Sequence, residues 1–437
     1  MIRHSKGLRD PSTFRRFQFG RSWPRLLLLT PLLFALLIAA YGLGSFTARD
    51  VITRPDKGWS DGSNTSGEFI DLISSVEFAA AEYRKNNPEA DEATLALAFD
   101  YLTQLLSASI EMSVAKGDPS KPIFTDWMSD HRKFLGDSPD AIYLTAPVEA
   151  SFDYDVAIEP ANADYIGVVI YDKHPITGWN RVADHYSAVT STDKTPINLT
   201  LTSSLASDMQ NEVSTRVLKL TETAHTIMVR RYFFSDRSGK NRDANTIANT
   251  AISAAPASHL SKGQRDIKSL DFSRKLENAT SFFNQTWQGT VALAAATNDT
   301  ANTFDRPATV TPDFVGVFYP TPDNDYHGGA FKLMPGESLV VEGNIPEAAF
   351  WSITLQNHWM QSLEPTTGTG SLRGDQITNR DGRYRVWISD TPPIDGEDWL
   401  NTAGETEGLV AIRYLLAEAT DQPSAKLVQA SGEQSEE

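Results

Sequence analysis

Near Ala141 the spacing of apolar residues switches from a helical period to a period of two, and it returns to two repeatedly down to Leu416. Phe152, Tyr154, Val156 and Ile158 alternate with Ser151, Asp153, Asp155 and Ala157. Successive side chains of an extended strand point to opposite faces, so this alternation predicts a strand with one buried face. Tyr165–Tyr171, Ile197–Thr202 and His225–Phe234 continue the series. Further on, Phe314–Val317, Ala330–Leu333, Ser338–Val341, Phe350–Asn357, Arg383–Ser389 and Leu409–Leu416 read the same way. Helical spacing is confined to other places. It covers Glu68 to Lys116, with a break at Asn86-Asn87-Pro88 and an end at Gly117-Asp118-Pro119, and it recurs over 271–296 through Phe272, Leu276, Ala279, Phe283, Trp287 and Val291. Runs of strands with helices kept apart from them imply an α+β fold built mainly on antiparallel sheet.

The first 46 residues differ from the rest. Residues 1–25 carry seven Lys/Arg against one acid, Asp10, whereas the whole chain is −17, which leaves −23 beyond Arg25. Leu26 to Phe46 then runs 21 residues without a charge. A helix needs about 20 apolar residues to cross the hydrocarbon of a bilayer. The run is longer than the apolar region of a cleaved signal peptide, and Gly42-Leu43-Gly44 is a poor cleavage site. It therefore reads as an uncleaved transmembrane anchor. Seven basic residues precede it, which puts the N-terminus in the cytoplasm and the acidic body outside. The expected location is the bacterial inner membrane, single-pass, with a periplasmic body. Besides the membrane, the expected partner is a small molecule or glycan, with a structural partner in another envelope complex as a further alternative. An acidic body excludes a nucleic-acid partner, because phosphates require a basic face.

The expected organisation is a basic tail (1–25), the anchor (26–46), a polar linker (47–66) and a helical segment (67–135). A β-rich domain closed by an amphipathic helix (136–300) follows, then a C-terminal β domain (301–420) and a disordered tail (421–437). The chain has no cysteine, so disulfides, thiolate catalysis and cysteine-ligated zinc are excluded. Its eight histidines form no HExxH or HxH pair, and no metal or other cofactor is expected. Asp323-Asn324-Asp325-Tyr326-His327-Gly328 resembles the start of a calcium loop but lacks the twelfth-position Glu. Ser113-Val114-Ala115-Lys116 fits a Ser-x-x-Lys pattern, yet stands at a helix end rather than at a helix start. No Gly-rich phosphate loop and no Gly-x-Ser-x-Gly elbow occurs.

Several residues carry a more specific signal. Pro335-Gly336-Glu337-Ser338-Leu339-Val340-Val341-Glu342-Gly343, then Phe350-Trp351-Ser352-Ile353-Thr354-Leu355, resembles the opening hairpin of the bacterial family "domain of unknown function 1214" in its longer form. Asp398-Trp399-Leu400-Asn401-Thr402-Ala403-Gly404, then Gly408 and Arg413-Tyr414-Leu415, resembles its closing element. Upstream, Gly136-Asp137-Ser138-Pro139-Asp140-Ala141-Ile142-Tyr143 and Val229-Arg230-Arg231-Tyr232-Phe233 are similar to segments of the longer members, so the resemblance spans roughly 120–418. Asp398 stands where the family usually has Asn, and Glu405 where it usually has His. The resemblance implies a sandwich or jelly-roll-like architecture and supplies no catalytic residue.

The candidate site residues are Tyr326, Trp351, Asn357, Trp359, Trp399, Asn401 and Arg413. Strand alternation puts Trp351, Ile353, Leu355, Asn357 and Trp359 on one face. Asn357 is then either the polar floor of a pocket flanked by tryptophans or a turn cap beside packing residues. Arg413 lies in the apolar strand LVAIRYLL, where a buried guanidinium requires a carboxylate or holds an anion. Trp399 and Asn401 belong to a turn. Noncatalytic binding of a small molecule or glycan in a sandwich pocket is the expected function. The alternative is a hydrolase or lyase using paired carboxylates, which leave no sequence motif.

Overall fold

The structure is a computed structural model, and it describes residues 64–129, 131–174, 180–204, 216–234, 249–257, 272–298, 300–304, 318–363, 370–393 and 396–429. The basic tail, the anchor, the linker up to residue 63 and the strand expected at Phe314–Val317 lie outside them.

Three α-helices and two β-sandwiches form most of this part of the chain. Helix α1 (Asn64–Asn86) and helix α2 (Glu92–Ile110) are separated by the expected break. The Asp91 side chain caps α2 by accepting the Thr94 N–H at 2.8 Å. Helix α3 (Phe272–Asn298) packs against both. One helical run among the described residues, Glu92–Ala115, is long and apolar enough to cross a membrane by composition alone. Its stripe of Leu95, Ala98, Tyr101, Leu102, Leu105 and Ala108 is buried in the protein core.

The first sandwich holds nine strands. β1 (Thr125–Asp126), β2 (Ala141–Pro147), β4 (Tyr165–Lys173), β5 (Asn180–Val189) and β8 (Ala224–Tyr232) form a sheet in the order β1-β2-β8-β4-β5. β3 (Phe152–Ile158), β6 (Ile197–Thr202), β7 (Arg216–Lys219) and β9 (Thr250–Pro256) form the other, in the order β7-β6-β3-β9. Ile142, Leu144, Ile166, Val168, Ile227 and Val229 of the first sheet meet Tyr154, Val156, Leu199 and Leu201 of the second. The opposite face of the first sheet carries Tyr143, Tyr165, Tyr171, Met228 and Tyr232 and packs towards the helices. A sheet covered on both sides reads as a nearly continuous apolar run, as YIGVVIY does in β4.

The second sandwich faces sheet β10-β16-β12-β13 against sheet β15-β14-β11-β17. The strands are β10 (Asn324–Lys332), β11 (Glu337–Asn344), β12 (Phe350–Gln356), β13 (Ser371–Arg373), β14 (Arg383–Ser389), β15 (Asp398–Asn401), β16 (Glu407–Leu415) and β17 (Ser424–Gln429). Trp351, Ile353, Leu355, Val341, Val386, Ile388 and Ile412 fill its core. The architecture is thus α+β and mostly antiparallel; β6–β7 and β14–β15 are the parallel pairs among the described residues.

Several stretches depart from the sequence reading, among them β1, β7, β13 and the first half of β10, which were not expected as strands. Ser424–Gln429, inside the expected disordered tail, is β17 and pairs with β11 from Glu337↔Gln429 to Glu342↔Ser424. Main-chain hydrogen bonds hold it, and its side chains stay mostly exposed, so no apolar pattern marks it. The Ala-rich strand β9 lies within a segment read as loop, and β5, half-exposed along its length, carries no clean alternation. Asp398–Asn401 is a strand rather than a turn; the turn follows, where Glu405 N–H donates to Thr402 C=O and Ala403 has φ of +55°.

Candidate functional site

Directly opposed residues of paired strands project from the same face of a sheet. Across β10, β16, β12 and β13 one such row reads Tyr326, Arg413, Ser352, Arg373. Trp351 and Ile353 alternate to the other face and enter the sandwich core. In the first sheet a comparable row across β2, β8 and β4 reads Tyr143, Arg230, Gly167. The two rows converge: Tyr143 and Tyr232 each feel the charges of Arg230 and Arg413, and both interact electrostatically with Tyr326.

The segment before β2 closes one side. Arg413 Nη2 donates to the Gly136 and Asp137 carbonyl oxygens, the latter at 3.2 Å. Gly136 has φ of +74°, and a Cβ there would lie 3.3 Å from Met360 Cε and 3.7 Å from Arg413 Nη2. Glycine therefore serves both the left-handed turn and the close approach. On the other side Arg230 Nη2 donates to the Tyr171 hydroxyl at 2.8 Å and to the Tyr319 carbonyl at 2.6 Å. Asn324 donates to the Tyr232 hydroxyl at 2.8 Å and ties β10 to the first sheet.

Both arginines are 4% exposed. Neither forms an ion pair among the described residues, and each keeps an Nη1 with no partner there. Ser352 Oγ and Gln356 Nε2, also buried, lack partners too, and Gln356 Nε2 lies 3.4 Å from the position a Gly136 Cβ would take. Two carboxylates, Asp137 and Asp140, belong to the segment before β2. Asp137 accepts the Ser362 N–H at 2.8 Å and the Ser362 hydroxyl at 2.6 Å. Asp140 sits 4.0 Å from Arg373, whose stronger pairing at 2.9 Å is with Asp375. Desolvation pushes Tyr171 up to about 12 and raises Tyr143 and Tyr232 above 10, with the arginine charges acting the other way. At neutral pH the tyrosines are hydroxyl donors, not phenolates.

Of the seven residues singled out by sequence, the structure brings Tyr326 and Arg413 together here. Tyr326 stands at the solvent side, 47% exposed. Arg413 meets main-chain carbonyls rather than the carboxylate its burial suggested. Trp351 is in the sandwich core, against Tyr384 at 5.0 Å between ring centres. β12 ends at Gln356, so Asn357 and Trp359 leave the face that alternation assigned them. Asn357 caps the turn: its Oδ1 accepts the Trp359 and Gln361 N–H groups at 3.0 and 3.1 Å. Trp359 stacks on Tyr101 and Trp287 among the helices. Trp399 donates to Ser389, and Asn401 Oδ1 accepts the Ala403 N–H at 2.7 Å; both belong to the outer sheet of the second sandwich. Arg230, Tyr143 and Tyr232 were not among the candidates. The signal for Arg230 was available: two adjacent arginines in the apolar run HTIMVRRYFF must alternate, one to each face.

Residues 316–419 match the family model described as "Protein of unknown function (DUF1214)", which confirms the resemblance read in the C-terminal third. That segment contains Tyr326 and Arg413 but not Arg230. No curated protein matches the chain. Among solved structures, an uncharacterized protein from Burkholderia cenocepacia is 20% identical, covers 83% of this chain and 97% of its own, and superposes with a TM-score of 0.68, which shows a shared fold. A protein from Vibrio parahaemolyticus is 13% identical, with 76% of this chain and 98% of its own covered, at a TM-score of 0.44.

Proposed function

We propose that this chain, which carries a DUF1214 segment, binds a small organic anion between its two sandwiches, with Arg230 and Arg413 as the charged contacts. One observation supports this reading above all: two buried guanidiniums, without ion-pair partners among the described residues, each keep an unpaired Nη1 and act on the same two tyrosines, Tyr143 and Tyr232. Burying an unpaired charge costs several kcal/mol, and a chain of net charge −17 has ample acid with which to neutralise both. A carboxylate arriving from outside supplies the missing charge and accepts paired N–H donors in the geometry a guanidinium favours. The protonated hydroxyls of Tyr143 and Tyr232 add donors, and Tyr326 stands at the entrance. The location that fits this role is the outer face of a bacterial inner membrane, with residues 26–46 as anchor and the N-terminus in the cytoplasm.

The test is a titration of the purified full-length chain in detergent micelles with a panel of mono- and dicarboxylates. At least one is expected to bind saturably to the native chain and about tenfold more weakly to Arg413→Met, reflecting a lost charge-assisted bond. Equal binding by the two proteins removes Arg413 from the site.

A further inference from the structure

A second polar space lies on the same face of the first sheet, beyond the Tyr319 turn. Tyr319 has φ of +51°, unusual for a bulky residue. Its carbonyl accepts Arg230 and the Tyr171 hydroxyl, while its ring lines a cavity of about 120 Å³. Lys173, His225, Thr226, Asn278 and Gln285 line the same cavity. This space is large enough for a small polar occupant.

Its polar groups point to a ligand. His225 Nδ1 lies 3.1 Å from Thr226 Oγ1, whereas His225 Nε2 is buried with no partner among the described residues. Desolvation, then the Lys173 charge, lowers the His225 pKa to about 3, so the ring is neutral and its Nε2 is free to share one hydrogen bond. Lys173, exposed at the end of β4, forms no ion pair among the described residues, and the Arg274 charge acts on it. The acid next to it in sequence, Asp172, is fully occupied by Arg181 at 2.7 Å and by Thr221 at 3.0 Å. Ser113 and Lys116, the Ser-x-x-Lys pair, also line the wall. Lys116 Nζ pairs with Glu111 at 2.7 Å. The cavity wall therefore offers the exposed Lys173 side chain, one orphan ring nitrogen and several hydroxyls and amides.

We infer that this cavity is a second binding site, for a small hydroxylated carboxylate. The carboxylate meets the Lys173 ammonium, and the hydroxyl bridges His225 Nε2 and the amides of α3. The site is independent of Arg230 and Arg413, and the experiment keeps the two apart. The full chain in micelles is titrated calorimetrically with glycolate, acetate, glycerol and inorganic phosphate. Glycolate is expected to bind most tightly of the four. Lys173→Met is expected to weaken it about tenfold or more, as for a lost charged contact. His225→Phe weakens it as well, and Arg413→Met leaves it unchanged. The inference is overturned if glycolate gives no saturable heat, if phosphate or glycerol binds more tightly, or if glycolate binding survives Lys173→Met. Loss in Arg413→Met with retention in Lys173→Met also overturns it, by placing the glycolate between the sandwiches.

Discussion

Arg230 and Arg231 are neighbours in sequence with opposite surroundings. Arg231 faces the inside of the first sandwich, where its guanidinium donates to the carbonyls of Glu159, Pro160 and Asn249 and to Thr250 Oγ1. Removing it strands those acceptors, so Arg231→Met is expected to lower unfolding stability by about 3 kcal/mol in urea titrations. Arg230→Met removes a buried charge whose surroundings leave it partly unpaired. It is expected to change stability by less than about 1 kcal/mol or to raise it, while weakening anion binding. Burial of His225 gives a pH dependence with a definite sign. Its folded pKa of about 3 lies below the ordinary 6.5, so the unfolded chain binds the extra proton between those values. Its stabilising contribution is complete above pH 6.5 and is lost as the pH falls towards 3. His358, lowered first by desolvation, acts in the same direction. The melting temperature is expected to fall over that window, and His225→Gln is expected to flatten the fall. At this level the sequence was legible for Arg413, because a charge inside LVAIRYLL stands out. It was misleading for Trp351 and Trp359, whose type suits a ligand platform and a core equally well.

Strands whose side chains are buried announced themselves; strands held mainly by main-chain bonds did not. β4, β8, β12 and β16 carry Val, Ile and aromatic residues and were legible. β17 and β9 lie on sheet edges with mostly exposed side chains, and nothing in SAKLVQ or TAISAAP demands burial. The turn before β2 was legible only as part of a family motif, because its role depends on Arg413, far along the chain. Gly136→Ala tests that element. The left-handed backbone at φ of +74° and the approach of Met360 are expected to lower stability by about 1–2 kcal/mol. Displacement of the Gly136 carbonyl is also expected to weaken anion binding more than the stability change alone explains, measured by titration well below the melting temperature.

The helices, the first sheet and the second sandwich share one core. Phe350, Trp359 and Leu415 from the C-terminal half join Tyr101, Trp287, Tyr165 and Tyr232 from the rest. Cooperative units follow shared buried contacts, so calorimetry is expected to show one unfolding transition for the described body. Two resolved transitions indicate sandwiches that unfold independently. The packing of the sandwiches brings the charges of Arg230 and Arg413, more than 180 residues apart in the chain, to bear on the same two tyrosines, Tyr143 and Tyr232. Periodicity reports which face a residue takes, but not which distant sheet that face meets, so this pairing was not legible. Native mass spectrometry of the full chain, purified gently from its own host, tests whether an anion binds between the sandwiches. The native protein is expected to carry a retained small organic anion that acid releases, and the Arg230→Met/Arg413→Met protein, shown to be folded by a cooperative melt, is expected to carry none. The absence of any such mass from the native protein, or its persistence in the double variant, refutes the proposed binding site.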